Sequence, residues 1–393
     1  MTLRVLLAHN YYQQPGGEDA VFAAETTLLQ RHGHRVFLLR EHNRRVEAFS
    51  RAGLALNTWW SRSAYRQVRR MVAAHQPDVA HFHNTFMMLS PSVYYACKDA
   101  GVPVVQTLHN YRLLCPSAIL YRHGRVCEAC AGRAVAWPGV QHACYRGSAA
   151  ATAVTAGMLT VHRLLGTWAR AVDRYIAITE FARRKFVEAG LPAEKVVVKP
   201  NFLDVDPGTG EHDGGYCLFV GRLTEEKGVR TLLAAWRLLG GRVPLKIAGD
   251  GPLAPEVAAA AAAAPSIEWV GPRSRAEVVA LMKRAALLIC PSVWYEGGSP
   301  MVVVEAFATG LPVESSRLGG MAESVTDGHT GLHFTPGDAA DLAARVEWAV
   351  ADAGRLRQMG RNAREEFEAR YTAERNYERL LAIYEEARAG GGG

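Results

Sequence analysis

LLICPSVWYEGGSPMVVVEAFATGLPV, residues 287–313, decides how this chain is read. Its first four residues, Leu287–Cys290, form a continuous apolar run, the pattern of a strand covered on both faces. A turn-rich stretch with two glycines follows. Ser299 is then read as an N-cap and Pro300 as the first helical residue. The helix continues through Val304, Glu305 and Ala308 to the stop Gly310-Leu311-Pro312. Strand, glycine-bearing loop and returning helix make one βα unit, the building block of parallel sheets. The glycine-led helix tip is a natural anion site, because its free amides and dipole favour negative charge. Glu305 stands among Val302, Val303, Val304, Ala306 and Phe307, where a carboxylate is costly unless paired or exposed in a cleft. It is read as an acceptor for vicinal hydroxyls such as those of a ribose, against the plainer alternative of an exposed helix glutamate.

The same alternation extends in both directions. Tyr216–Val220, Leu245–Ala248, Ile267–Val270 and Leu332–Phe334 read as further strands of the second half, with Val229, Leu232, Leu233 and Trp236 marking one helix face. In the first half Arg4–Ala8, Val36–Leu39, Val79–Phe82, Val104–Leu108 and Tyr175–Ile178 read as strands, and Val68, Met71, Val72 and His75 as a helix face. The Asp- and Gly-rich stretch 204–215 reads as a linker. The expected fold is α/β: two Rossmann-like, doubly wound domains facing a central cleft. The expected divisions are 1–203, 204–370 and a final helix over 371–389, where Tyr377, Leu380, Leu381 and Tyr384 mark one face.

Ligands of open parallel sheets bind beyond the carboxyl ends of the strands, so the loops leaving those ends are where the chemistry is expected. Gly221-Arg222-Leu223-Thr224-Glu225-Glu226-Lys227-Gly228 puts two cations across one turn, which suits a diphosphate; an ion-paired surface loop is the alternative. Val270-Gly271-Pro272 ends another strand, and Pro15-Gly16-Gly17-Glu18 joins the first strand to the first helix with amides free to face a ligand.

The net charge of +7 is unevenly spread. Residues 1–200 carry 25 Lys and Arg against 12 Asp and Glu, which suits an anionic partner or is a solvated basic face. The basic residues are dispersed and no nucleic-acid motif is present, so no nucleic-acid partner is expected. Hydrophobic residues make up 49% of the chain, yet no apolar run reaches the ~18 residues of a membrane span. A cytoplasmic protein is expected, with membrane contact at most peripheral at the inner face. Cys97, Cys217 and Cys290 sit in apolar runs and read as core. Cys115, Cys127, Cys130 and Cys144 have the spacing C-x11-C-x2-C-x13-C, which fits a structural zinc site; free thiols and disulfides are the alternatives.

Together the motifs PGGEDAVF (15–22), PDVAHFHN (77–84), QTLHNYRLLCP (106–116), AITEFARRKF (177–186), KPNFLD (199–204), VGRLTEEKG (220–228), IAGDGP (247–252), EGGSPMVVVEAFATGLPV (296–313) and GGMAESVTDGHTGLHFTPGD (319–338) resemble the family-four retaining glycosyltransferases of GT-B fold. They span nearly the whole chain in order, and the resemblance implies that the final helix, 371–389, crosses back to the first domain. The resemblance implies that Arg222 and Lys227 bind the donor diphosphate, that Glu305 binds the ribose, and that Glu296, Gly297, Gly298, Ser299, Met301 and Val302 line the donor pocket, with Gly271 nearby. It implies that His109 contacts the donor sugar, making His109, Arg222, Lys227 and Glu296 the catalytic set, and that Gly16 and Gly17 close over the phosphates or admit the acceptor. It further implies a nucleoside-diphosphate sugar donor, UDP-linked in preference to GDP-mannose, a glycan, lipid-linked or small-molecule acceptor, and no cofactor for catalysis. A GT-B sugar-nucleotide epimerase and a non-catalytic relative are the alternatives. Two departures stand out. Glu296 and Glu305 are nine positions apart where the family has eight, and Glu314 follows Pro312-Val313 where the family has an apolar strand residue, with Arg317 as the cation available to offset it.

Overall fold

Two six-stranded, all-parallel sheets carry the fold among the residues described by the computed structural model, which are 2–14, 16–296 and 300–390. One unit takes residues 1–120, 127–200 and the segment from Ala373 onward; the other takes 121–126 and 201–372.

The first unit's strands are β1 (Arg4–Tyr11), β2 (Arg35–His42), β3 (Val79–Asn84) and β4 (Val104–Leu108); after the hairpin strands β5 (Tyr121–Arg122) and β6 (Arg125–Val126) come β7 (Arg174–Ala177) and β8 (Val196–Val198). The sheet order is β2-β1-β3-β4-β7-β8. Strands β3 and β4 are buried at every position, as parallel strands covered on both faces must be. The helix Ala373–Gly390 closes this unit: Leu380, Ile383, Tyr384 and Ala387 pack on Leu3, Val5, Val79, Val105 and Ile176.

The second unit holds β9 (Cys217–Val220), β10 (Leu245–Ala248), β11 (Ile267–Gly271), β12 (Leu287–Cys290), β13 (Val313–Ser316) and β14 (Gly331–Phe334), in the order β11-β10-β9-β12-β13-β14. The helix Val229–Leu239 buries Val229, Leu232, Leu233 and Trp236 in one core, and the helix Met301–Thr309 buries Val303, Val304, Phe307 and Ala308 in the other. The stretch 204–215 has no regular element but is strapped onto this unit: the Gly210 amide donates to the Thr309 carbonyl and the His212 amide to the Lys283 carbonyl.

Strands β8 and β13 were not expected. β13 carries Glu314 in register between Ile289 and Leu332, fully buried. Burial pushes this carboxyl far above its usual range, and neither oxygen has a hydrogen-bond partner. Arg317 does not offset it, because its guanidinium lies 3.5 Å from Asp327 instead.

Each sheet has one place where the strand order reverses, between β1 and β3 in the first and between β9 and β12 in the second. At such a point adjacent loops diverge and leave a crevice at the carboxyl ends. No helix of the described residues is long and apolar enough to cross a membrane.

Candidate active site

At the reversal in the second sheet, the loop after β9 lies against the loop after β12. Gly228 makes this possible. Its φ is +72°, and a Cβ there would stand 1.8 Å from the Pro291 carbonyl oxygen. The Val293 amide also donates to the Glu226 carbonyl at 2.9 Å. Lys227, one residue earlier, is thereby delivered to Glu296. Its ammonium donates to both carboxylate oxygens, at 2.7 and 2.9 Å. Ser292 Oγ donates to Glu296 Oε1 at 2.6 Å, and Lys227 also lies over the Trp294 ring, 5.6 Å from its centroid. Glu296 is therefore a buried carboxylate whose charge is balanced locally. Arg222 differs: its side chain is 58% exposed and its guanidinium is 3.9 Å from Glu226 Oε1. The loop thus offers one held cation and one loosely held cation.

The neighbouring loops are linked through their backbones. The Gly221 amide donates to the Ala248 carbonyl, and the Gly249 amide to the Gly271 carbonyl. A Cβ on Gly249 would come within 1.9 Å of the Gly221 oxygen. Gly271, at φ +73°, ends β11 and serves here as a backbone acceptor.

After β12 comes the helix Met301–Thr309. Pro300 is not its first residue, as the sequence suggested: with ψ 137° it is extended and stands at the cap, so Met301 leads. Gly297, Gly298 and Ser299 lie outside the described residues. Helix geometry leaves the amides of Met301 and Val302 without intrahelical acceptors. One turn in, Glu305 is mostly buried and 3.2 Å from Arg275 Nε. Burial raises its carboxyl above the usual range, while Arg275 pulls it back. Nothing in the sequence flagged Arg275, which opens the helix Arg275–Arg284 behind its Ser274 cap.

The other residues gather at the reversal in the first sheet. Gly16 caps the helix Gly17–Arg31, with its amide donating to Asp19 Oδ2 at 3.0 Å. Glu18 receives weak hydrogen bonds from Asn84 and Asn110, at 3.3 and 3.4 Å, and burial pushes its carboxyl up to about 8. His109 follows β4 and stacks on His83, with Nε2 3.0 Å from His83 Nδ1. Burial holds His109 well below the usual histidine range, so it is neutral. The structure thus joins Lys227 with Glu296 in the second unit and His109 with His83 in the first, where the adjacent Asn110 reaches Glu18, next to Gly17.

The four spaced cysteines share one loop-rich part of the first unit. Cys115 and Cys130 are buried, Cys127 and Cys144 partly so, and the Cys130 thiol is pushed up to about 11 by burial, then by Cys115, Cys144 and Cys127 nearby. Two groups of described residues bring three ligand atoms within 4.8 Å of one another: Glu25, His81 and His83, and His9, Glu18 and Asp19; neither contains a cysteine. A cavity of about 800 Å³ in the second unit is lined by Tyr216, Cys217, Pro244, Ala286 and Pro312. Those residues lie at the amino ends of strands, the wrong end for a ligand site of this fold.

Two doubly wound units, the second with Lys227 and Arg222 beyond its strand ends, are the parts of a GT-B type of α/β protein. The comparisons agree. A "Glycosyltransferase Family 4" model matches residues 15–207 and a "Glycosyl transferases group 1" model matches 207–366. Glycogen synthase of Mycobacterium tuberculosis is 28% identical over 336 residues, 81% of this chain and 68% of the relative. HepE of Anabaena, solved with UDP, superposes with a TM-score of 0.67 at 18% identity over 98% of this chain and 100% of its own. Sucrose-phosphate synthase of Thermosynechococcus elongatus gives 0.73 at 16% identity, over 98% and 99%. The solved structures establish the GT-B fold. The chain belongs to the family-four, group-one glycosyltransferases.

Proposed function

We propose that the protein moves a sugar from a UDP-linked donor to a hydroxyl of a glycan or lipid-linked acceptor, with retention at the anomeric carbon. The observation that carries this is the contact of Lys227 with Glu296 and Ser292, beside the exposed Arg222, at the strand-order reversal of the second sheet. HepE supports the choice of donor, since its structures hold UDP and UDP-glucose.

In the free protein the Lys227 charge is balanced by Glu296. A bound diphosphate competes for that ammonium. As the sugar–phosphate bond breaks, negative charge grows on the leaving oxygen and draws Lys227 and Arg222 toward it, so both cations bind the transition state more strongly than the ground state. The amides of Met301 and Val302 add the helix tip, and Glu305 takes the ribose hydroxyls. The acceptor oxygen bonds the anomeric carbon on the face the diphosphate leaves, and the departing phosphate oxygen takes the acceptor's proton. Retention follows from the family resemblance. Screening UDP- and GDP-linked sugars for donor hydrolysis tests the reading: turnover of a UDP-sugar supports it, and turnover of no nucleotide sugar contradicts it.

Peripheral contact with an anionic membrane is part of the proposal. Leu56, Trp59 and Trp60 are exposed at the end of the helix Arg51–Trp59, and Leu164 and Leu165 at the end of the helix Ala149–Leu164 that packs on it. Arg51 and Arg62 flank the first of these groups. Flotation with phosphatidylglycerol vesicles tests this; recovery of all protein in the pellet fraction refutes it.

A further inference from the structure

Behind His109 lies a chain of buried polar groups that the function above does not use. Lys199 donates to Glu25 Oε1 at 2.6 Å, and both side chains are almost fully buried. The other oxygen, Glu25 Oε2, is 3.1 Å from His83 Nε2. That contact is off the ideal line, but neither atom has another hydrogen-bond partner, so each is the other's outlet. His83 Nδ1 then meets His109 Nε2 at 3.0 Å. His81, beside them, is neutral through burial and already spends both nitrogens, on the Tyr384 hydroxyl and Thr107 Oγ1.

The proton positions follow from what each group can do. Glu25 is held ionised against burial chiefly by the Lys199 ammonium at 2.6 Å, so it only accepts. His83 Nε2 must therefore carry the proton. One carboxylate and one ammonium already cancel, so a cationic His83 would be a buried charge without a counter-ion. Neutral His83 has a bare Nδ1, which must accept from His109 Nε2–H. Neutral His109 is left with a bare Nδ1. A metal ion at Glu25, His81 and His83 is disfavoured on the same grounds, because the Lys199 ammonium already sits on the carboxylate.

We infer that Glu25, oriented by Lys199, is a positioning residue that fixes the tautomers of His83 and His109, so that His109 offers a hydrogen-bond acceptor, not a donor, to a sugar hydroxyl. The sugar half of this rests on the proposed transferase function and on the donor-sugar contact that the family resemblance implies for His109; the tautomer half does not. Glu25→Gln makes the inference specific. Lys199 still demands an oxygen, so the amide oxygen faces Lys199 and the NH2 faces His83 Nε2. Every hydrogen bond then reverses, and His109 ends with its proton on Nδ1.

Long-range proton–nitrogen NMR of 15N-histidine-labelled protein reads this directly, with His109→Gln identifying the resonances. Wild type is expected to show His109 as the Nε2–H tautomer, and E25Q as the Nδ1–H tautomer. Wild-type His109 protonated on Nδ1 overturns the inference, and that measurement needs no variant to fold. Should E25Q unfold, E25Q/K199M removes both charges together and is expected to lose the single fixed tautomer; a His109 tautomer unchanged in a folded variant also overturns it. The sugar half is read with UDP-glucose in its 3-, 4- and 6-deoxy and matching deoxyfluoro forms. Neither form can donate, but fluorine sets its lone pairs against the bare Nδ1 where the deoxy carbon sets none. At one position, therefore, wild type is expected to favour the deoxy over the fluoro donor by about tenfold, and E25Q, with a proton on Nδ1, to erase that ratio. No such position, with the NMR result intact, overturns the sugar contact and leaves the relay standing.

Discussion

Arg222→Ala and Lys227→Ala are expected to damage the enzyme in different ways, and the difference tests the assigned chemistry. Each removes one cation aimed at the departing diphosphate, worth ~2–4 kcal/mol of transition-state stabilisation, or about 30- to 900-fold in kcat/KM. Their stability effects should diverge. The Arg222 side chain is 58% exposed and touches Glu226 only at 3.9 Å, so its removal should change stability by less than ~0.5 kcal/mol. Lys227 holds a carboxylate that is 8% exposed. Removing it takes both of the ammonium's hydrogen bonds from Glu296, while the Ser292 contact remains. Breaking a buried pair costs ~3–5 kcal/mol; the lysine is 20% exposed and water can reach the gap, so the low end is expected. Urea unfolding and donor hydrolysis on the same preparations separate the two effects. Turnover within about threefold of wild type in both variants would refute the assignment. Loss of stability in Arg222→Ala matching that in Lys227→Ala would refute the structural half.

Three further outcomes are expected. Glu314 keeps its proton in the folded state above its ordinary value of 4.5, so the native protein binds a proton that the unfolded chain has lost. Stability therefore falls by about 1.4 kcal/mol per pH unit from that value upward until Glu314 ionises. Glu314→Gln removes this slope, and denaturation between about pH 5 and 7 should show its advantage over wild type growing with pH; a constant difference contradicts the account. Gly228→Ala should destabilise by ~1–3 kcal/mol through its positive φ. It should also depress turnover further by forcing the Lys227 loop off Pro291, which a variant with wild-type unfolding and hydrolysis would disprove. We propose that Cys130 and the three cysteines around it, Cys115, Cys127 and Cys144, close around one structural zinc, although no three of their sulfurs are gathered within 4.8 Å of one another. Metal analysis should find about one zinc per chain, lowered by each Cys→Ser change; metal-free, fully stable protein would refute this.

Much of the framework was legible because parallel strands announce themselves as apolar runs. The strands missed are instructive. β8 is three valines between Pro192 and Pro200, too short to read as a strand, and β13 hides because Glu314, Ser315 and Ser316 look like a loop. Lys227 could be singled out because glycines mark its loop, whereas Glu296 came only from the family resemblance, and the contact between the two was not foreseen. Arg275 could not, nor could the Glu25–Lys199–His83 chain, whose first pair is separated by 174 positions. Periodicity reports which face a residue occupies, and no local pattern reports which distant polar group it meets there. The hairpin of β5 and β6 lies within the cysteine-rich stretch, yet it groups with the second unit, which its sequence did not signal.

A crystal structure with UDP bound tests the central claim most directly. The diphosphate is predicted beside Arg222 and Lys227, at the amino end of the Met301–Thr309 helix, with the ribose hydroxyls on Glu305. UDP bound elsewhere, such as the cavity at the amino ends of β9 and β12, would contradict it.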